Sequence, residues 1–348
     1  MKKQILFAAL MALVMVSCDK CKDANQDQRD YSQGDFIVNE GSFGNSNGSI
    51  TYVGGSLVVA DVFQEVNSLP VGDVVTDFDR IGDFGYTVSN NTQKVIVTKA
   101  VSFERTAEIS GFNYPREFVQ VSSNVAAVSD GATNGSVKFI DLISNTVFTS
   151  VNVGKGPEGM LMQDGKLYVC NSGGWDVDST VSVVNVGTFQ VAQTYNVARK
   201  PVEIARASDG YLWVLCSGET QYDVNWNIIG HTPAALVRIN PADGSTLPFQ
   251  IGSLGDHPLH MALDALHNRI LIANNQIEIF DLASLSFSAT PFADIQANGI
   301  DINPLDNYVW VCGPTDFTTN SVVTVFDTNG NIARTVNAGI GARKIAFK

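Results

Sequence analysis

From residue 36 onward, short runs of Val, Ile, Phe and Tyr alternate with clusters of Gly, Asn, Asp and Pro, and no stretch keeps a helical period. Runs of about four to eight such residues bounded by turn formers predict many short antiparallel strands. The pattern also repeats. One block runs from Pro157-Glu-Gly-Met160 through Leu167-Tyr-Val-Cys-Asn171 and Thr180-Val-Ser-Val-Val-Asn185 to Phe189 and Val197. Equivalent blocks start at Val71, Pro115, Pro201, Pro258, Ala297 and Ala342, and only the interval after Pro201 needs an insertion, Gly218 to Ala234.

Three columns support the alignment. An apolar residue lies three places into each block (Val74, Phe118, Met160, Ile204, Met261, Ile300, Ile345), a small or polar residue such as Ser129 or Asn171 closes the second strand, and a turn former such as Asp141, Asn185 or Asp327 ends the third. Each block has the content of one four-stranded propeller blade. The first block enters at its second strand, Phe36-Ile-Val-Asn39, and the missing first strand lies at the far end, in Arg343 to Phe347. The expectation is an all-β, seven-bladed β-propeller of four-stranded blades over residues 36–348, closed by pairing of N- and C-terminal strands in one blade. Closure removes the free sheet edges of an open array. A solenoid would instead need a capping repeat.

The residues ahead of the first block read as an address. Lys2 and Lys3, an apolar run from Ile5 to Val16 and then Ser17 suit a signal peptide over 1–17, the run being short for a bilayer span. Residues 18–35 are polar and acidic, as in a flexible tether. The chain has 348 residues and a net charge of -13, which falls to -15 once Lys2 and Lys3 are removed with the signal. Such an acidic surface argues against nucleic-acid partners. Of the five cysteines, Cys170, Cys216 and Cys312 sit in apolar strand-like runs and are expected as buried thiols, with no metal site and no disulfide framework.

Several segments resemble known families. Met15-Val-Ser-Cys18 resembles a bacterial lipobox, with Met15 where Leu is usual. The resemblance implies lipidation at Cys18, with ordinary secretion as the alternative. Acidic residues after that cysteine look like the export signals of Bacteroidetes surface lipoproteins; in an enterobacterium Asp19 would instead imply inner-membrane retention. Leu167-Tyr-Val-Cys-Asn-Ser-Gly173, Thr180-Val-Ser-Val-Val184 and Asn196-Val-Ala-Arg-Lys-Pro201 resemble YVTN-type (YncE-like) propeller repeats. Phe36-Ile-Val-Asn-Glu-Gly-Ser-Phe-Gly44 behind a lipobox is similar to a Bacteroidetes group of surface lipoprotein propellers, some of which capture cobalamin for an outer-membrane transporter. That implies an outer-membrane, cell-surface protein held by its lipid alone, which binds a corrinoid and passes it to a TonB-dependent transporter. A siderophore, a glycan or a protein partner fits the same scaffold.

In such a ring the loops joining strands two to three, and strand four to the next blade, share one face around the central opening. Long loops there carry Phe43, Asp130, Trp175, Asp176, Tyr222, Trp226 and Phe317, and their aromatics are candidates for ligand contact or for capping gaps between blades. The positions after each block start offer Asp73, Arg116, Glu117, Glu158, Glu203, His260, Asn298, Arg343 and Lys344 to the channel mouth. Of these, Arg116, Glu158, His260, Asn298 and Arg343 are the binding candidates, against the alternative of cross-channel ion pairs. Trp213 and Trp310, within second strands, are expected in the core between blades. No GxSxG or HExxH motif occurs, and His257 and His260, three apart at a strand start, point to opposite faces. A binding protein with no catalytic residues and no cofactor is therefore expected rather than an enzyme, with a lactonase or lyase as the remote alternative.

Overall fold

The computed structural model describes residues 29–348. The expected signal peptide at 1–17, the lipidation site Cys18, and Cys21 lie outside the described residues. Seven four-stranded antiparallel sheets form, with a two-stranded hairpin inserted in the fifth. Blade four is the plainest, with strands Pro157–Gln163, Lys166–Asn171, Thr180–Asn185 and Gln190–Asn196. Its second strand is buried except at Lys166, whereas its fourth exposes every residue but Tyr195 and is Gln- and Thr-rich. The sequence grades from Leu-Tyr-Val-Cys inside to Gln-Val-Ala-Gln-Thr outside because inner strands pack a neighbour on both faces.

Closure is as expected. Asp35–Asn39 pairs on one side with Ser49–Gly54 and on the other with the C-terminal strand Ala342–Ala346, Ile37 lying opposite Ile345. The hydrophobic core is divided into seven clusters, each bridging two adjacent blades. An open row of seven blades has six seams. The seventh joins Trp310, Val323 and Val325 of blade seven to Ile37, Val53 and Ile345 of blade one. Trp213 and Trp310 are both fully buried in such seams. Turns between third and fourth strands are set by side chains. Asp141, Asn185, Asn240, Asp281 and Asp327 each accept the backbone N–H two residues on, a local bond that stabilises the reversal.

Three sequence expectations move. Blade two starts at Val75 rather than Val71: Val75 lies opposite Ser89 and Phe78 opposite Thr87, as Pro115 lies opposite Asp130 and Phe118 opposite Val128. Phe78, 1% exposed, therefore fills the apolar column in place of Val74. In blade three the same register puts Asp130 in the second column instead of Ser129. The tether also ends earlier than residue 35, because Tyr31 is buried against Tyr52 and Phe103 and its N–H donates to Val101 O at 2.8 Å. One short helix, Val62–Asn67, links blades one and two. Cys170, Cys216 and Cys312 are buried free thiols, and burial pushes all three well above the usual thiol range.

Candidate functional site

First strands run nearest the axis, so the two residues after each block start face the channel. On the rim face they form a funnel of about 250 Å3 lined by Thr76, Arg116, Glu117, Glu158, Glu203, Leu259, His260, Arg343 and Lys344 among others. Following the ring, the upper position holds Arg343, Thr76, Arg116, Glu158, Val202, Leu259 and Asn298. One arc is polar and cationic, from blade one to blade three. Blades five and six contribute only apolar groups at this level.

The predicted Arg116, Glu158, His260 and Arg343 thus meet in one place. Arg116 Nε donates to Glu158 Oε2 at 2.9 Å. Burial opposes the charge of Arg116, but Glu158 and the nearby Glu40 outweigh it and hold the guanidinium protonated. Arg343 Nη1 reaches Glu40 at only 3.4 Å. His260 Nδ1 lies 2.6 Å from Glu203 Oε1. Asn298 sits beside the funnel, where its side chain donates to Ala342 O at 2.8 Å.

Below this level the carboxylates stitch blades together. Asp77 accepts from Phe118 N, Glu117 from Met160 N, Glu203 from Met261 N and Asp301 from Ile345 N. In each case the acid of one blade takes the backbone donor of the next blade's apolar column. Lys344 Nζ lies 2.7 Å from Asp77 and 3.3 Å from Glu117. Burial opposes its charge, but those two carboxylates more than compensate and keep it protonated. Glu117 is pushed up to about 7 and Asp301 up to about 8, burial being the main cause in both. One lysine cannot neutralise every buried acid around it.

Around the funnel stand the loops between second and third strands. Phe43, Trp175 and Trp226 are 77%, 77% and 82% exposed. Trp175 leans on Tyr114, centroids 5.9 Å apart, and Tyr114 in turn lies under the Arg116 guanidinium. Asp176 pairs with Lys155 at the surface. Tyr222 and Trp226, 6.0 Å apart, sit at the tip of the hairpin Glu219–Tyr222 and Ile228–Thr232. No residue of that hairpin lines the funnel. A pocket roofed by the blade-five insertion is not formed, and the funnel stays open. His231 ties the hairpin sideways to His257, ring nitrogens 3.2 Å apart. Phe317 is half-buried against Gly341, and its carbonyl accepts from Ser42 Oγ.

Two expectations are corrected. Asp130 is fully buried and accepts the backbone N–H groups of Asn113 and Tyr114 at 2.8 and 2.7 Å, so it shapes the loop carrying Tyr114 instead of facing a ligand. Asp73, given to the channel mouth by the shifted blade-two start, braces a loop: its Oδ2 accepts from Gly44 N and Asn91 Nδ2. The residues in its place are Thr76 and Asp77. Sequence could have found them, since Thr76-Asp77-Phe78 repeats the acid-aromatic order of Arg116-Glu117-Phe118. Tyr114 and Asp301 were also missed, and neither sits in a repeated column. Among the described residues no group of three or more His, Cys, Asp or Glu is placed to hold a metal ion.

The model of the family described as Domain of unknown function (DUF5074) matches residues 33–337, so the chain belongs to that family. No curated protein sequence matches it. Among solved structures it is similar to a hydrazine synthase chain of Kuenenia stuttgartiensis, with TM-score 0.62 and 15% identity over 80% of this chain and 89% of that one. It is also similar to a quinonprotein alcohol dehydrogenase-like protein from Bacteroides thetaiotaomicron, with TM-score 0.63 and 14% identity over 92% and 79% of the two chains. At such identities these likenesses show the propeller fold alone.

Proposed function

We propose that this member of the DUF5074 family is a binding protein whose rim face captures a large ligand with a flat apolar surface and polar edges, a corrinoid such as cobalamin, and hands it to a TonB-dependent outer-membrane transporter. The observation that carries the reading is that three exposed aromatics, Phe43, Trp175 and Trp226, stand in loops between second and third strands, on the face into which one polar funnel opens. Several large exposed rings gathered on one face offer rigid apolar contact area to a ligand. A corrin ring is too large to enter about 250 Å3. It would lie across the mouth against the rings and send one polar side group inward.

Binding is favoured over turnover because most of the funnel's carboxylates, with its histidine, are already engaged. Arg116 pairs with Glu158, Glu203 with His260 and the Met261 N–H, and Lys344 with Asp77. Groups committed to holding blades together are poorly placed to shuttle protons. The chain reaches Tyr31 beside the Val101 turn, on the face opposite the funnel. A lipid tether attached there would leave the rim face free.

Isothermal titration of residues 29–348 with cyanocobalamin tests the reading. One-to-one binding at micromolar or tighter affinity is expected, and no heat at high micromolar ligand overturns the corrinoid assignment. A second reading has its own observation. The blade-five hairpin exposes Val224 at 95%, with Trp226, Ile228 and Ile229 beside it, which suits a finger that docks on a protein partner. Pull-down of a transporter that is abolished by removing Tyr222–Ile228 but indifferent to corrinoid would favour that role.

A further inference from the structure

Two funnel residues carry a buried donor without a partner, and a third on the same arc has donors to spare. Thr76 is 3% exposed, lines the funnel, and its Oγ1 has no hydrogen-bond partner. Arg343 Nε is likewise buried and unpartnered, and its Nη1 holds Glu40 only at 3.4 Å, beyond the usual range. Arg116 uses one N–H, to Glu158, of the five a guanidinium carries. Buried donors without partners are costly. These three occupy the same level on consecutive blades, with Thr76 between the two arginines in ring order.

We propose that Arg343, Thr76 and Arg116 form an oxyanion cradle, so that the ligand of the rim face presents a phosphate or carboxylate to this arc while an apolar part lies over Val202 and Leu259. The inference rests on the rim face being a ligand site and adds the chemistry of the group that enters it. Two planar forks and a hydroxyl match the oxygens of a phosphate or carboxylate. The weak hold of Glu40 lets Arg343 turn onto an incoming anion, while Glu158 keeps Arg116 in place. Repulsion from the acids below is reduced, because burial raises Glu117 and Asp301 to about 7 and 8 and Lys344 lies between Asp77 and Glu117. Opposite the cradle, Val202 and Leu259 give the funnel an apolar wall.

The test compares octyl phosphate with uncharged octyl glucoside, and cyanocobalamin, which carries a phosphodiester, with cobinamide, which lacks it. Residues 29–348 are titrated as wild type, Thr76→Val and Arg343→Gln, with a thermal melt to show each variant folded. Octyl phosphate is expected to bind one to one and more tightly than octyl glucoside, with affinity about tenfold or more weaker in Arg343→Gln and several-fold weaker in the volume-matched Thr76→Val. Equal binding of the two octyl compounds, or folded variants with unchanged affinity, overturns the cradle. Cyanocobalamin and cobinamide binding equally in all three proteins would overturn the cradle and leave the corrinoid reading standing. Octyl phosphate binding that both substitutions weaken, with no corrinoid binding, would uphold the cradle and overturn the corrinoid assignment.

Discussion

Blade four and blade one build the same sheet by different routes. Blade four is one continuous stretch of chain, whereas blade one takes its innermost strand, Ala342–Ala346, from the far end of the sequence. At the two positions that face the channel, blade four presents Glu158 and Gly159, and blade one presents Arg343 and Lys344. Gly159 is required by crowding, since a Cβ there would come within 2.4 Å of Val202 O. Lys344 instead reaches out to Asp77 of blade two and Glu117 of blade three. The strand that closes the ring therefore also brings two of the funnel's cations. Ring closure and the candidate site depend on one element in blade one and on separate ones in blade four.

The largest effect expected from this coupling comes from deleting residues 342–348. That removes a strand of blade one, opens the seam around Trp310, and should cost an amount comparable with a whole domain's stability, about 5–15 kcal/mol. Circular dichroism should show no cooperative melt, and a truncated chain melting within a few degrees of the parent would mean that closure by this strand is dispensable.

Lys344→Met should follow. It leaves the buried Asp77 and the part-buried Glu117 without their shared cation, a loss of about 3 kcal/mol, the low end for a broken buried pair because Lys344 and Glu117 keep some contact with water, read by urea denaturation. Gly159→Ala is the matching change in blade four and should cost about 1–3 kcal/mol through overpacking. A larger loss in Gly159→Ala than in Lys344→Met would reverse the comparison.

The next effect is on pH dependence. Burial raises the folded pKa of Glu117 to about 7 and of Asp301 to about 8, above the ordinary 4.5 and 3.8 of these side chains. The folded chain then holds protons that the unfolded chain has lost, so these groups lower stability as pH rises from about 4 through 8. The melting temperature should be higher at pH 5 than at pH 8, and Glu117→Gln should flatten part of the difference. A parent melting temperature that rises over this interval would contradict the assignment.

Smallest in stability are the rim aromatics. Trp175→Ala and Trp226→Ala should change stability by no more than about 0.5 kcal/mol, as exposed positions do, while weakening cyanocobalamin binding measured by titration. A large fall in melting temperature in both would make these rings caps between blades.

Repetition made the ring legible. Periodic columns such as Met160, Met261 and Ile345 located six blades correctly, and the missing first strand forecast the pairing of the N- and C-terminal strands, in which Ile37 lies opposite Ile345. Blade two slipped because Val71 and Val74 mimic the pattern that belongs to Val75 and Phe78. The slip hid Thr76 and Asp77. Residues fixed by the repeat, such as Arg116, Glu158, His260 and Arg343, were placed in the funnel by sequence alone. Loop residues were not, because their positions depend on local bonds that no repeat encodes. Asp130 turned inward to bind two backbone donors, and the Tyr222–Trp226 hairpin was pulled sideways by the His231 and His257 contact.

The central claim is that one face of the ring binds the ligand. Hydrogen–deuterium exchange of residues 29–348 with and without saturating cyanocobalamin tests it most directly. Protection is predicted in the rim segments around Phe43, Tyr114, Trp175, Trp226, Phe317 and Arg343, with none in the third-to-fourth-strand turns at Asp141, Asn185 and Asp327. Protection confined to those turns, or no protection anywhere, would contradict the account.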